Sequence, residues 1–131
     1  MRERKFRAWD NERKEMASVI NLGTEDCDVR LRDENCGEWT TVYPYIATVM
    51  EYTGLKDKNG KEIYEGDIVK FYSFTTLREY DICKIKWSDT CVTYTVVDKF
   101  DEEYFIEKLD EKLLEVIGNI YENPELLEGE E

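Results

Sequence analysis

The chain has 131 residues, 41% of them apolar and 37% charged, with a mean hydropathy of −0.66 and no histidine. A chain of that length buries roughly two-thirds of the surface its unfolded form exposes, so one domain can stand without cross-links. Thirty-one acidic against 18 basic residues give a net charge of −13, which disfavours nonspecific binding to phosphate backbones and anionic membranes, while the missing imidazole removes Ser-His-Asp, Cys-His and histidine acid-base mechanisms.

Lys5–Trp9 and Met16–Leu22 read as two strands joined by the polar turn Asp10-Asn11-Glu12-Arg13, an N-terminal hairpin. Gly23–Glu38 mixes turn formers with the alternating piece Cys27-Asp28-Val29-Arg30-Leu31-Arg32, which predicts a loop or an exposed edge strand. Trp39–Tyr43 is rich in β formers and stops at Pro44, which cannot donate to a ladder, and Ile46–Tyr52 continues as a further strand of the same sheet system.

The span YTGLKDKNGKEIYEGDIVKF, Tyr52–Phe71, concentrates three glycines and a burst of alternating apolar residues. Lys58-Asn59-Gly60-Lys61 predicts a two-residue hairpin turn, because Asn and Gly both tolerate the positive φ that such a turn requires. Glu65-Gly66-Asp67 turns the chain again and starts a β-branched run, Ile68–Phe74. Asp81–Trp87 alternates Ile82, Lys84 and Lys86 with Cys83, Ile85 and Trp87, and the turn Ser88-Asp89-Thr90 leads to Cys91–Val97. Residues 67–97 therefore predict an antiparallel meander.

Between Phe100 and Leu114 the positions Tyr104, Phe105, Leu109 and Leu113 approach helical spacing and predict a short helix. Glu115–Tyr121 reads as a final strand, and Asn123-Pro124 as the cap and first position of one terminal helical turn. The expected class is β-rich α+β: antiparallel strands in a small SH3-like or open barrel, an N-terminal hairpin and one or two short helices. One domain over 1–131 comprises N-terminal strands and loop at 5–52, a barrel-like part at 53–127 and an acidic tail at 128–131.

Charge is distributed unevenly, since Asp98–Glu131 carries 13 acids and 3 bases while residues 1–97 carry 18 and 15. Cys27, Cys36, Cys83 and Cys91 lie nine, 47 and eight residues apart, without the close pairs of zinc ribbons or redox motifs, and are expected as reduced thiols. The N-terminus has no apolar signal core and no later run is long enough to span a bilayer, so a cytoplasmic protein without membrane attachment is expected. Neither GxxxxGK[ST] nor GxGxxG occurs, and Asp101-Glu102-Glu103 is read as a solvated turn rather than a metal site. No catalytic residue, cofactor or metal is expected, and an enzyme is the weakest hypothesis.

The span 52–71, together with EVIGNIYENPELL at 115–127 and KFRAWDNERKEM at 5–16, closely resembles the YopX family of phage and prophage proteins over the whole chain. The resemblance implies a small β-rich protein in a bacterial host and carries no activity or site residue with it. The leading expectation is a noncatalytic accessory protein that binds another macromolecule, a protein or further copies of itself. If the two motifs meet in space, Asp57, Lys58, Asn59, Glu65, Asp67, Asn119 and Glu122 would rim a shared polar groove for that partner. The plain alternative for the same motifs is turn and core grammar.

Two other partners compete with this one. A nucleic-acid strand would use Arg4, Arg7, Arg30 and Arg32 for phosphates and Trp9 as a stacking platform, with Trp39, Tyr43, Trp87 and Lys86 in support. Against it, Lys5 and Arg7 read more simply as the solvent face of an ordinary half-buried strand. The acidic C-terminal part would instead imitate a phosphate backbone in a host enzyme, provided its carboxylates stand in ordered rows; a solvated acidic face needs no such order.

Overall fold

The computed structural model describes residues 5–11, 14–22, 29–33, 37–41, 47–73, 75–106 and 109–128. Two compact units divide the chain, Met1–Tyr52 and Thr53–Glu131.

In the first unit β1 (Phe6–Asp10), β2 (Glu15–Leu22), β3 (Val29–Asp33), β4 (Gly37–Thr41) and the start of β5 (Ala47–Lys56) form an antiparallel array in the order β4-β3-β2-β1-β5. The N-terminal hairpin has the expected strands, and its turn closes with Lys14 N–H donating to Asp10 O at 2.8 Å and Lys14 at φ 58°. Ala8 sits opposite Ala17 on one side and Val49 on the other, so the buried centre of this array is made of small and β-branched side chains at matched register. The expected loop or edge at Cys27–Arg32 is corrected here: β3 is flanked by β2 and β4, and Cys27 lies outside the described residues. Alternation of Val29 and Leu31 with Arg30 and Arg32 speaks of faces, whereas pairing is made by backbone groups that any side chain leaves available.

In the second unit β5 continues from Thr53 beside β6 (Glu62–Tyr64), and a five-stranded antiparallel sheet follows: β7 (Asp67–Tyr72), β8 (Tyr80–Ser88), β9 (Thr93–Val97), β10 (Glu103–Phe105) and β11 (Leu114–Asn119), ordered β10-β9-β8-β7-β11. The meander predicted for 67–97 is present, and this sheet curves as a half-barrel. Its core gathers Ile63, Val69, Cys83, Ile85, Tyr94, Val96, Ile106 and Leu114, with Phe71, Trp87 and Tyr104 packed against it. Cys83, Ile85 and Trp87 share that face, as their alternation with Ile82, Lys84 and Lys86 requires.

Two local expectations are corrected in this unit. Among the described residues of 100–114 there is no α-helix: β10 pairs with β9 at Glu103↔Val97 and Phe105↔Thr95, and a 3-10 turn at Glu111–Leu113 follows. The carboxylate of Asp98 accepts the N–H groups of Phe100 and Glu102, which bends the chain back onto β9 and overrides the helical spacing of the apolar residues. At Lys58-Asn59-Gly60 the positive φ falls on Gly60 alone, at 84°, and the loop has three residues, closed by Gly60 N–H to Asp57 O and Asp57 N–H to Lys61 O. That is the alternative three-residue solution for a hairpin, with glycine in the left-handed position. The terminal helix, α1 (Glu125–Glu128), is one turn as expected.

Candidate functional site

The two sequence motifs do meet, through β7 and β11, which pair from Leu114↔Phe71 to Asn119↔Asp67 with a bulge between Val116 and Gly118. Lys58 N–H donates to Leu114 O at 2.9 Å and Ile120 N–H to Gly66 O at 2.9 Å, so both turns of the first motif are tied to the second. Asp57, only 5% exposed, accepts from the N–H of Asn59 and Lys61 through Oδ1 and from the N–H of Val116 through Oδ2. Asp67, 1% exposed, accepts from Tyr64 N–H at 2.8 Å.

Buried Asn119 accepts from Tyr121 N–H and Glu122 N–H and donates through Nδ2 to Glu122 Oε2 at 2.7 Å. Of the seven residues predicted to rim a groove, Asp57, Asp67 and Asn119 are thus turned into the fold, where they hold backbone donors. Lys58, Asn59 and Glu122 are exposed and Glu65 is half-buried. Asn123, predicted to cap the last helix, instead turns its Oδ1 back to the N–H of Asn119 at 3.3 Å.

An open cleft of about 900 Å³ lies elsewhere in the second unit, at the end of the β7–β8 hairpin. Phe71, Tyr72, Ser73, Glu79, Tyr80 and Asp81 from that hairpin line it, and Tyr104, Leu109, Asp110 and Leu113 complete the wall. Register explains the aromatic lining: Tyr72 stands opposite Tyr80, giving an edge-on pair with centroids 5.5 Å apart, and Phe71 meets Tyr104 in a second edge-on pair at 5.5 Å. Lys58 Nζ lies 4.5 Å from the Tyr72 ring centroid and Lys70 Nζ 4.5 Å from that of Tyr80, a geometry in which the cation is attracted to the ring quadrupole.

Two of the three phenols of this cleft are held by carboxylates. Tyr72 donates to Glu115 Oε1 at 2.7 Å, and this bond, with burial and the charge of Glu115, raises the phenol above its ordinary titration range. Tyr104 donates to Asp98 Oδ2 at 3.1 Å, which, with burial and the same charge, raises it likewise. Burial pushes the nearby Cys83 thiol up to about 12, with the charges of Asp81 and Asp98 adding to the effect. A thiol so far from its thiolate is a core group and a poor nucleophile. The cleft offers aromatic rings, two phenols each held by a carboxylate and three carboxylates at its edge, a lining suited to recognition.

Of the proposed nucleic-acid set, Arg7 on β1 and Arg32 on β3 are both register partners of Ser18 on β2. Trp9 is 7% exposed, so its ring is enclosed, and Arg7 is half-buried with Nη2 3.9 Å from Met50 Sδ. Arg30 and Arg32 stand on β3, and Arg4 lies outside the described residues. Trp87 is half-buried, edge-on to Tyr94 and bonded through Nε1 to Asp89 Oδ1 at 3.0 Å.

Sequence reasoning did not single out Phe71, Tyr72, Tyr80, Asp81 or Asp110. The available signal was Tyr80 at the first position of a strand whose later residues alternate cleanly, an aromatic outside the core pattern. Among the described residues no helix is long and apolar enough to cross a membrane.

Comparison with known proteins covers nearly all of the chain. The sequence model described as YopX protein matches residues 5–128. The SPbeta prophage-derived uncharacterized protein YopX of Bacillus subtilis (strain 168) is 29% identical over 137 residues, covering 95% of this chain and 96% of that one. The crystal structure of protein EF1440 from Enterococcus faecalis superposes with a TM-score of 0.65 at 28% identity, covering 97% of this chain and 99% of that one. The crystal structure of protein yopX from Bacillus subtilis gives a TM-score of 0.64 at 28% identity, with coverage of 94% and 97%.

Proposed function

The chain belongs to the YopX family, and from that premise we propose that it is a noncatalytic phage or prophage accessory protein that acts by binding another macromolecule through the aromatic cleft of its second unit. The carrying observation is the arrangement of Phe71, Tyr72, Tyr80 and Tyr104, two edge-on pairs in each of which one phenol is anchored, Tyr72 by Glu115 and Tyr104 by Asp98, while the cleft stays open to solvent. Tyr80 is 46% exposed. Aromatic rings fixed in place before binding contribute contact area at small entropic cost, which is why such residues dominate binding hot spots. The phage setting is supported by the B. subtilis relative, whose name describes it as prophage-derived.

Site-specific photocrosslinking in bacterial cells tests the reading. A benzophenone amino acid at Tyr80 is expected to capture a macromolecule that the same group at exposed Lys61, on the β5–β6 turn, does not. Identical capture at both positions, or capture at neither, rejects the cleft as the binding surface.

A further inference from the structure

The two ladders of β8 overlap at a single residue. β8 pairs with β7 from Tyr80↔Tyr72 to Lys84↔Ile68, and with β9 from Lys84↔Val97 to Ser88↔Thr93. Among the described residues Tyr80–Cys83 therefore has a strand along one side only, because β9 ends at Val97 where Asp98 draws the N–H groups of Phe100 and Glu102 into a turn. On the β7 side Glu79 O accepts from Ser73 N–H and Ile85 O from Gly66 N–H. Successive residues of a strand turn their backbone groups to alternate sides, so Tyr80 and Ile82 direct theirs to the other side, where no strand is paired among the described residues.

A row of unpaired backbone groups is a template for another strand, and edges are ordinarily blunted by lysine, proline or a bulge. Tyr80-Asp81-Ile82-Cys83 contains neither lysine nor proline, and its one charge, Asp81, guards the edge against an acidic strand but not a basic one. It also borders the cleft, whose charged lining consists of Glu79, Asp81 and Asp110 with no basic side chain. Lys58 and Lys70 lie over the Tyr72 and Tyr80 rings, while Arg78 and Lys112 are chain neighbours of the lining residues Glu79 and Leu113 without lining the cleft themselves.

Resting on the reading of the cleft as a binding surface, we propose that its occupant is an extended basic segment of a partner protein, which adds as a strand along Tyr80–Ile82 and places an Arg or Lys side chain among the carboxylates of Glu79, Asp81 and Asp110. Main-chain bonds give such an added strand its affinity, and the pockets beside it select its side chains. The carboxylates at this mouth favour a cation and repel an acidic segment, and the planar fork of an arginine can bond a carboxylate at two points.

The test uses the full chain and a dye-labelled, end-blocked octapeptide of alternating Arg and Val, followed by fluorescence anisotropy. One twin replaces Arg by Glu, and a second keeps every charge but carries N-methyl groups at alternate residues, removing backbone donors. The Arg peptide is expected to bind with an affinity that falls as salt rises. The Glu twin, the N-methyl twin and the protein variant Asp81→Asn/Asp110→Asn are each expected to weaken binding about tenfold. Asn at 110 keeps the oxygen that accepts from Lys112 N–H, so the fold of the 3-10 turn is preserved.

Equal binding of the Arg peptide and its N-methyl twin overturns the inference, because attraction to a chain of net charge −13 is then sufficient. Equal binding of the Glu twin, or no binding of the Arg peptide to a protein that crosslinks a partner at Tyr80, overturns the basic segment and leaves the cleft reading standing. A dimer in light scattering that Asp81→Asn/Asp110→Asn abolishes makes the occupant a second copy and overturns the inference too.

Discussion

Asp57 Oδ2 accepts the backbone N–H of Val116 at 2.8 Å, joining residues 59 positions apart. The same carboxylate holds Asn59 N–H and Lys61 N–H through its other oxygen, at 2.9 Å each. One buried side chain therefore fixes the glycine turn and pins it to the last strand. Asp57→Ala leaves three backbone donors without that acceptor, and hydrogen bonds to a charged group contribute more than neutral ones, so a loss of about 3 kcal/mol is expected. Asp57→Asn keeps one acceptor oxygen and is expected to lose about half as much. Urea unfolding checks both, with the midpoint lowered and the slope unchanged; a loss below about 0.5 kcal/mol for Asp57→Ala would mean that water replaces all three bonds.

Val92 closes the β8–β9 loop at φ 53° and is 70% exposed. A β-branched residue in the left-handed region is strained, by about 1–2 kcal/mol. Its side chain buries too little to offset that. Val92→Asn should therefore raise stability by about 1 kcal/mol, since Asn tolerates this conformation. Val92→Gly should gain less, because glycine also frees the unfolded chain. Thermal denaturation of the three proteins gives the order Asn, Gly, Val from most to least stable, and a destabilised Asn variant would show that the Val92 methyls pack in a way that exposure alone does not reveal.

Gly118 and Asn123 form a local lock at the end of β11. A Cβ at Gly118 would stand 2.5 Å from Asn123 Oδ1 and 2.8 Å from its Cγ, so the asparagine must leave and its bond to Asn119 N–H, 3.3 Å long, must break. Gly118→Ala is expected to cost about 1–2 kcal/mol, the usual penalty for stranding a buried donor. The cost should fall well below that in an Asn123→Ala background, where the clashing atoms are gone. A double-mutant cycle measures the coupling, and strict additivity would place the role of Gly118 in its backbone rather than in this contact.

Much of the fold was legible because period-2 alternation and turn chemistry agree along Tyr52–Val97, where every predicted strand occurs. Tyr104 and Phe105 were misread because apolar spacing in a short stretch cannot tell a helix from a strand followed by a turn, and the deciding residue was Asp98, whose carboxylate captures two backbone N–H groups. Asn59 was assigned a left-handed conformation that Gly60 alone adopts, since the sequence does not record that Asp57 also binds the turn. The cleft was less legible still. Its wall is drawn from β7, β8, β10 and the 3-10 turn, and each tyrosine taken singly reads as an ordinary strand residue. Polar residues of the two motifs drew attention as a groove rim, yet Asp57, Asp67 and Asn119 are buried acceptors of backbone donors, a role that sequence spacing does not distinguish from ligand binding.

Asp98 and Tyr104 make stability depend on pH at both ends of the scale. Burial works upward on the Asp98 carboxyl, but the N–H groups of Glu102 and Phe100 and the Tyr104 hydroxyl together outweigh it and hold the carboxyl below its ordinary value of 3.8. A carboxyl lowered in the folded state adds stability that is present above 3.8 and lost as pH falls through the lower folded value. Tyr104 is shifted the opposite way, above 10.0, so its contribution is present below 10.0 and lost as pH rises through the higher folded value. Asp98→Asn keeps an acceptor oxygen for the turn but cannot be protonated in this range, and is expected to flatten the acid limb of a stability-against-pH curve. Tyr104→Phe is expected to remove one late-titrating phenol from the tyrosinate absorbance and leave the late titration of Tyr72, held by Glu115, in place. An acid limb identical in wild type and Asp98→Asn, or a tyrosinate curve unchanged by Tyr104→Phe, would show that the 3.1 Å bond between them does not persist in solution.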